Sequence, residues 1–234
     1  MSVRIRRVTT TRSGGVSAPP YDTFNLGDHV GDDPAAVAAN RRRLAEKTGL
    51  GDGLVWMQQV HSDRVVRVSG PGDSPVPDAD GLVTTTRRLG LAVVTADCVP
   101  VLLADARAGV IGAVHAGRVG AANGVVVRAV EAMREAGARP EDISVLLGPA
   151  VSGRNYEVPE AMAAEVEAAL PGSRTTTARG TAGLDLRAGI ARQLTGLGIT
   201  AVDIDPRCTV DDRTLFSHRR GAPTGRLASL IWME

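Results

Sequence analysis

Short apolar segments and longer amphipathic ones follow one another irregularly along the chain. Four segments carry helix signals, with apolar residues spaced by three or four and glycine or proline near their ends: 32–49, 119–137, 159–170 and 184–198. Six shorter segments, rich in valine, isoleucine and leucine, predict β-strands: 54–60, 64–69, 89–96, 99–105, 109–116 and 143–149. Two of these strands are continuous apolar runs, which is typical of strands covered on both faces.

The order of these elements predicts a layered α/β fold. Helices and strands do not alternate regularly, and the sequence has neither a GxGxxG nor a Walker motif, so we expect mixed sheets and no Rossmann-type winding. The glycine- and proline-rich segment 69–81 lies between predicted strands and is interpreted as a surface loop. We therefore expect one domain over residues 1–234, a length that can bury a substantial core.

Composition argues against several classes of partner. The net charge of +1 offers no electrostatic basis for binding nucleic acid or a membrane, and 3% aromatic residues offer few rings for stacking bases. No apolar run approaches the roughly 20 residues that span a bilayer, and the N-terminal segment lacks the apolar centre of a signal peptide. Because the chain has only two cysteines, we expect a reducing, cytoplasmic location and no disulfide framework.

Three residues at or near the ends of predicted strands are candidate metal ligands. They are His61, Cys98 and His115, and they can converge on one rim if their strands are neighbours. Two imidazoles and a thiolate suit zinc, and a fourth position open to water or substrate is typical of catalytic zinc. Spacing alone leaves an alternative equally open, in which the histidines end strands and Cys98 is a small buried apolar residue.

Asp97 precedes the candidate thiolate ligand directly. Neighbouring side chains on a regular strand point to opposite faces, so Asp97 and Cys98 can share a site only where the chain bends. Pro100 makes an irregular strand plausible at this point. Asp97 could then act as a general acid or base, or orient a ligand; the alternative is a turn or capping residue.

The segment 115–120, HAGRVG, is a candidate anion site. Gly117 and Gly120 flank Arg118 just before a predicted helix, where free backbone N–H groups and the helix dipole favour an anion. The guanidinium of Arg118 would add a fork suited to phosphate. The alternative is an ordinary glycine-containing turn between a strand and a helix.

Ordered motifs over nearly the whole chain, from about Arg12 to Trp232, resemble one known family. They include QVHSDRV, DADGLVT, TADCVPVLLAD, AVHAGRVG, LGPAVSGRNYEV and FSHRR. Together they resemble the YfiH-type family, whose members are described as laccase-like polyphenol oxidases, peptidoglycan editing factors, and purine nucleoside phosphorylases with adenosine deaminase activity.

The resemblance implies a fold, a metal site and a substrate. It implies a single α/β/β/α domain acting as a monomer, with His61, Cys98 and His115 holding a metal that is usually zinc, copper being the other possibility. A pocket is expected for a purine nucleoside, with phosphate as the second substrate. Four residues in matching segments are implied as contacts to substrate or phosphate, in addition to Arg118: Arg12, Asn25, Gln59 and Arg219.

Three activities follow from this resemblance. The first is phosphorolysis of adenosine, inosine or guanosine, with deamination of adenosine by an activated water for which Asp97 carries the proton. The second is hydrolysis of a UDP-muramyl amino-acid precursor, in which Cys98 could be a nucleophile instead of a ligand. The third is copper-dependent phenol oxidation, which four histidines disfavour because a multicopper cluster needs many more.

Two departures from the family pattern bear on substrate preference more than on the metal. The usual HAGWRG reads HAGRVG here, which lacks the tryptophan and moves the arginine one place earlier, to Arg118. The family also commonly has cysteine where this chain has Asn155. A shift by one residue at a strand-to-helix turn rotates the arginine side chain, and the second change alters local polarity.

Overall fold

Two β-sheets packed face to face form the centre of the protein. The computed structural model describes residues 3–72 and 75–234. The strands are β1 Ile5–Thr9, β2 Leu54–Val55, β3 Val65–Arg67, β4 Gly81–Thr84, β5 Gly90–Thr95, β6 Val99–Asp105, β7 Val110–Ala116, β8 Ile143–Leu147, β9 Arg174–Thr176, β10 Ala182–Leu184, β11 Ala201–Ile204 and β12 Leu227–Met233. The helices are α1 Pro34–Thr48, α2 Arg118–Ala122, α3 Val125–Glu135, α4 Glu160–Ala169 and α5 Leu186–Gly196.

Both large sheets are mixed. The four-stranded sheet has the order β1-β12-β5-β2, and the six-stranded sheet has the order β11-β8-β6-β7-β4-β3. In the six-stranded sheet β6 runs antiparallel to β7 and β8, whereas β3 is parallel to β4 and β11 is parallel to β8. The register of β6 on β7 places Pro100 opposite His115.

Strand β5 shows why the central strands are continuously apolar. Leu91 lies in a cluster between the sheets together with Leu102 of β6, whereas its neighbour Ala92 packs on the outer side with Leu44 of α1. Successive side chains point to opposite faces of a strand, so a strand covered on both faces needs apolar residues throughout. The predicted two-sided burial is confirmed.

Helices α2 to α5 cover the outer face of the six-stranded sheet. Val126 and Met133 of α3 and Ile190 of α5 belong to one buried cluster with Val101 and Leu103 of β6. Helix α1 covers the other sheet, so the layers run α/β/β/α within a single domain, as predicted. In the described part of the chain, no helix has both the length and the apolar character that a membrane span requires.

Local signals located some elements better than others. Helix α1 is confirmed with Asp33 as its N-cap and Gly49 in the left-handed region at its end. The single helix predicted over 119–137 is wrong, because the chain breaks between α2 and α3 at Gly124, which has φ 88°. The predicted strand 54–60 is regular only in β2, after which Met57 makes an isolated bridge.

Leu102 should be among the residues on which stability depends most. It is fully buried between the two sheets. Leu102→Ala should lower the free energy of unfolding by about 2–5 kcal/mol, because it removes apolar contacts and leaves a cavity. Chemical denaturation measures this. Ile204→Ala, at a side chain that is 47% exposed, is the matched control, and an equal loss in both variants would contradict the assignment of the core.

Candidate metal centre and its cavity

The structure brings the three predicted ligands together. One ring nitrogen of His61, one of His115 and the Sγ atom of Cys98 lie within 4.8 Å of one another. Sγ of Cys98 is 3.8 Å from Nε2 of His61, and the two imidazole rings meet edge to face with centroids 4.7 Å apart. A set of two nitrogens and one sulfur is the donor set of a zinc site with one position left open.

Each ligand comes from a different part of the fold. His115 lies near the end of β7, and Cys98 ends the three-residue connection from β5 in one sheet to β6 in the other. His61 lies in the loop after β2, with a left-handed φ of 62°. The expectation that His61 directly ends a regular strand is therefore wrong, because the strand stops at Val55.

The buried carboxylate of Asp80 positions both histidines. Its Oδ1 accepts hydrogen bonds from Nδ1 of His115 at 2.7 Å and from the backbone N–H of His61 at 3.0 Å. Its Oδ2 accepts from the backbone N–H groups of Val60 and Ser62 and from the Ser62 hydroxyl. Since Nδ1 of His115 is engaged, Nε2 is the nitrogen left for a metal.

Electrostatics favours a thiolate at Cys98. Burial raises the pKa of Cys98, but the charge of His115 and hydrogen bonds from His115 and His61 outweigh it and lower the pKa to about 6. Burial lowers the pKa of His115, whereas the charges and hydrogen bonds of Cys98 and Asp80 raise it to about 9. Between these two pKa values, and without a metal, the thiolate form of Cys98 and the imidazolium form of His115 are both favoured, so metal binding displaces a proton from His115.

Gly117 leaves room for the ligand atoms. A Cβ at this position would lie 2.6 Å from Cδ2 of His61, 3.1 Å from Sγ of Cys98 and 3.2 Å from Nε2 of His61. The residue is also the N-cap of the short helix α2, which starts at Arg118. The donor set, the Asp80 support and this space together fit a bound metal ion.

Asp97 lies at the bend that joins the two sheets. Its φ of 96° is left-handed, so the irregularity falls on Asp97 itself. The expectation that Pro100 disturbs the strand is wrong, because Pro100 pairs regularly within β6. Oδ1 of Asp97 accepts a 2.6 Å hydrogen bond from the Thr209 hydroxyl, and Oδ2 accepts one of 2.6 Å from the backbone N–H of Arg219.

A cavity of about 340 Å³ opens onto the three ligands. This volume is in the usual range for small-molecule sites. Its lining comes from both sheets and from the loops between them, and consists of His29, Gln59, His61, Val94, Thr95, Ala96, Asp97, Cys98, His115, Arg118, Val151, Tyr156, Leu186, His218, Arg219 and Arg226.

Three of the five expected substrate contacts line this cavity. The charges of Arg118 and Arg219 both act on Tyr156, and the guanidinium of Arg219 lies 5.0 Å above the Tyr156 ring. Burial and the Cys98 charge raise the pKa of Tyr156 against the opposing effect of the two arginines. Gln59 also lines the cavity, but its amide forms two 2.8 Å hydrogen bonds with the backbone of Val94.

The other two expected contacts lie outside the cavity lining. Arg12 donates to the carboxylate and carbonyl of Asp22 and lies 5.2 Å above the ring of Phe216. Asn25 is fully buried and uses its side-chain amide within the loop that precedes α1 and on the backbone of Arg226. Both residues support the loops around the cavity.

Sequence reasoning missed several residues of the site. Asp80 lies in the DADGLVT motif and Tyr156 directly follows Asn155, so both belong to family-like motifs, but the motifs alone assign them no role. His29 also lines the cavity, and no strand-end signal marks it. His218 and Arg226 line it too; they belong to the basic segment 217–226, SHRRGAPTGR, whose charges alone leave open a loop near an anionic substrate and an ordinary loop. Asn155 points away from this lining, toward the thiol of Cys208 at 3.3 Å and Asp211 at 2.8 Å.

The fold and site define a single-domain α/β protein with a candidate mononuclear metal centre open to a cavity. The family model described as multi-copper polyphenol oxidoreductase laccase matches residues 6–234. The chain belongs to this family, which is the YfiH-type family indicated by its motifs.

Relatives and solved structures agree with this assignment. The chain is 74% identical to "Purine nucleoside phosphorylase Rv2149c" of Mycobacterium tuberculosis, covering 100% of this chain and 94% of that protein. It is 57% identical to "Purine nucleoside phosphorylase Cgl2154/cg2365" of Corynebacterium glutamicum, covering 98% and 94%. The crystal structure of the hypothetical protein YfiH of Bacillus licheniformis is similar with a TM-score of 0.91 and 31% identity, over 98% and 93% of the two chains.

Replacement of Gly117 by alanine should impair metal binding. The added methyl group would enter the space beside His61 and Cys98. Gly117→Ala should therefore bind less Zn²⁺ than the unaltered protein at equal total metal, as measured by elemental analysis after dialysis. Gly196→Ala is the control, because a Cβ there meets nothing within 4 Å; equal metal content in both variants would contradict this geometry.

Replacement of Asp80 by asparagine should weaken metal binding without removing a ligand. The amide cannot accept all the hydrogen bonds that now hold His61, Ser62 and His115. We expect the Zn²⁺ affinity to fall by about 10–100-fold, as is usual when the partner of a ligating histidine is lost. Competition with a chromophoric chelator measures the affinity, and an unchanged value would refute the positioning role.

Proposed function

We propose that this chain is a purine nucleoside phosphorylase with a metal centre at His61, Cys98 and His115. One observation carries the proposal: the metal-ligand trio opens into a cavity suited to a small substrate, in a chain 74% identical to a protein named for this activity. The proposed substrates are adenosine, inosine or guanosine, together with inorganic phosphate.

Zinc is the proposed metal because of the ligands. Two histidine nitrogens and a thiolate, with an open side toward the cavity, suit catalytic zinc. A zinc ion bound there would supply a Lewis acid next to the substrate. The chain itself contributes the preformed thiolate of Cys98 and the Asp80 carboxylate that keeps Nε2 of His115 directed at the metal position.

Phosphorolysis requires an anion site and a way to protonate the leaving base. A phosphate oxygen bonds to C1′ of the ribose, the bond from C1′ to the purine nitrogen breaks, and the purine takes up a proton. Arg118 and Arg219, whose charges both act on Tyr156, are proposed to donate hydrogen bonds to the substrates. Asp97, whose proposed proton transfer belongs to the deamination of adenosine, must first release its bond to Thr209 or Arg219.

Hydrolytic deamination of adenosine is the second proposed activity. It needs a water molecule activated beside the purine, and all three ligands line the cavity that would hold the base. Copper-dependent phenol oxidation, the reaction in the family description, is disfavoured by the donor set, because the sequence has four histidines and two of them are used here. A cytoplasmic location and a monomeric state stay predictions.

The test is incubation of the zinc-loaded protein with inosine or adenosine, with and without phosphate. We expect inosine to yield hypoxanthine and ribose 1-phosphate only when phosphate is present, and adenosine to yield inosine without it. Chromatography resolves these products. If neither nucleoside releases its base in the presence of phosphate, the phosphorylase proposal is wrong. A UDP-muramyl amino-acid substrate in the same assay tests the hydrolase alternative.

Replacement of Cys98 by serine shows whether Cys98 is a metal ligand or a nucleophile. If Cys98 holds the metal, Cys98→Ser should lose bound Zn²⁺ together with activity. Retention of a full complement of metal with loss of activity would instead assign Cys98 as a nucleophile. Arg67→Gln, at an exposed position of β3, is the control that should keep both.

A further inference from the structure

Three arginines line the cavity, and they differ in what holds their guanidinium groups. The guanidinium of Arg219 lies over the Tyr156 ring and donates to the backbone carbonyl of Glu157 at 3.1 Å, and the charge of Arg118 acts on Tyr156. In the described part of the chain, the guanidinium of Arg226 forms no hydrogen bond to a residue outside its own loop. Its Nη1 donates only to carbonyls of its own loop, Thr224 at 3.0 Å and Gly225 at 3.2 Å.

One edge of the Arg226 guanidinium is free for a ligand. Within residues 3–72 and 75–234, no carboxylate forms an ion pair with it, and neither Nε nor Nη2 has a hydrogen-bond partner. These two N–H groups form the parallel fork that matches two oxygens of a phosphate or carboxylate. Arg12, by contrast, uses its fork on Asp22.

The backbone at Arg226 is held in place before any ligand binds. Oδ1 of Asn25 accepts hydrogen bonds from the backbone N–H of Arg226 at 2.8 Å and from that of Gly27 at 3.0 Å. The backbone N–H of Leu26 donates to the Arg226 carbonyl. A Cβ at Gly27 would lie 2.6 Å from Cγ of Arg226, so glycine is needed there for the side chain to pass. Asn25 therefore does not line the cavity but positions the backbone of Arg226, which does.

The charge balance of the cavity favours an anion beside Arg226. Among the described residues that line this cavity, Asp97 is the only one with a carboxylate, and both of its oxygens already accept hydrogen bonds. The thiolate of Cys98 is assigned to the metal. None of the lining residues therefore offers a free carboxylate oxygen that could pair with the three arginines.

We propose that Arg226 is the principal binding residue for inorganic phosphate, holding two of its oxygens through Nε and Nη2. This inference rests on the proposed phosphorylase function and names the position of its second substrate. Arg118 and Arg219, whose charges both act on Tyr156, are then left to face the nucleoside. The phosphate-binding role that sequence motifs suggested for Arg118 is thereby assigned chiefly to a residue near the C-terminus.

The test compares Arg226→Gln and Arg226→Lys with the unaltered zinc-loaded protein. Titration calorimetry with inorganic phosphate measures binding directly, and steady-state assays separate KM for phosphate from KM for inosine. We expect Arg226→Gln to weaken phosphate binding by at least about tenfold, the usual result of losing a charge-assisted pair. Arg226→Lys, which keeps the charge but not the fork, should lie between. KM for inosine and the zinc content should stay unchanged in both.

Other results would overturn the inference. Arg226→Gln with unaltered phosphate affinity, or a larger loss in Arg118→Gln than in Arg226→Gln, would place the phosphate elsewhere. Equal rises in both KM values, with a lowered melting temperature, would assign Arg226 a merely structural role. Arg67→Gln, at an exposed residue outside the cavity lining, is the matched charge-loss control.

The same experiments distinguish failure of this inference from failure of the proposed function. If phosphate binds through Arg226 but no base is released, the phosphorylase proposal fails and the anion site stands. If phosphorolysis proceeds and is insensitive to Arg226→Gln, the phosphorylase proposal stands and the anion site fails.

Discussion

The buried carboxylate of Asp80 is the interaction on which the site depends. It receives hydrogen bonds from three consecutive backbone N–H groups at 60–62 and from the ring of His115. A fully buried carboxylate is costly unless it is paired and fully hydrogen-bonded, and here its partners are the two segments that carry the histidine ligands. The bonds that stabilise one buried charge thus fix the geometry of two ligands, and they also hold the left-handed backbone of His61.

The third ligand depends on the junction between the sheets. The chain leaves the four-stranded sheet at Thr95 and enters the six-stranded sheet at Val99, so three residues must turn it from one layer to the other. Asp97 takes the strained conformation that this turn requires, and its carboxylate binds the segments around Thr209 and Arg219. Cys98 therefore lies where both sheets and two later loops meet, which is also where a cavity can form.

The cavity combines two kinds of chemistry. Its lining includes a thiolate and two imidazoles, which suit a cation, and three arginines, which suit an anion. Arg219 lies over the ring of Tyr156, and Asn25 holds the backbone of Arg226, so these two arginines are held by different parts of the fold. A nucleoside and a phosphate that must meet at one carbon atom need such separate, fixed contacts.

Local patterns in the sequence determined much of this protein. The apolar runs located β5 to β8, and the proline and glycine near its ends located α1. The strand-end positions of Cys98 and His115, with His61, indicated the trio that the structure brings together. The apolar spacing continues across Gly124 and so hid the break there, although Asn123-Gly124 is itself a turn signal. The sequence could not indicate the role of Pro100, because only its pairing partner reveals a regular strand.

Only the tertiary structure decided how the site is supported and what else faces it. The bond from His115 to Asp80 spans 35 positions, and the bond from Arg226 to Asn25 spans 201. Hydrophobic periodicity reports on neighbours three or four residues apart and carries no information about such contacts. The sequence by itself therefore determined which residues could bind a metal; the packing of two sheets decided that Asp80 orients them and that Arg226 keeps a free edge toward the cavity.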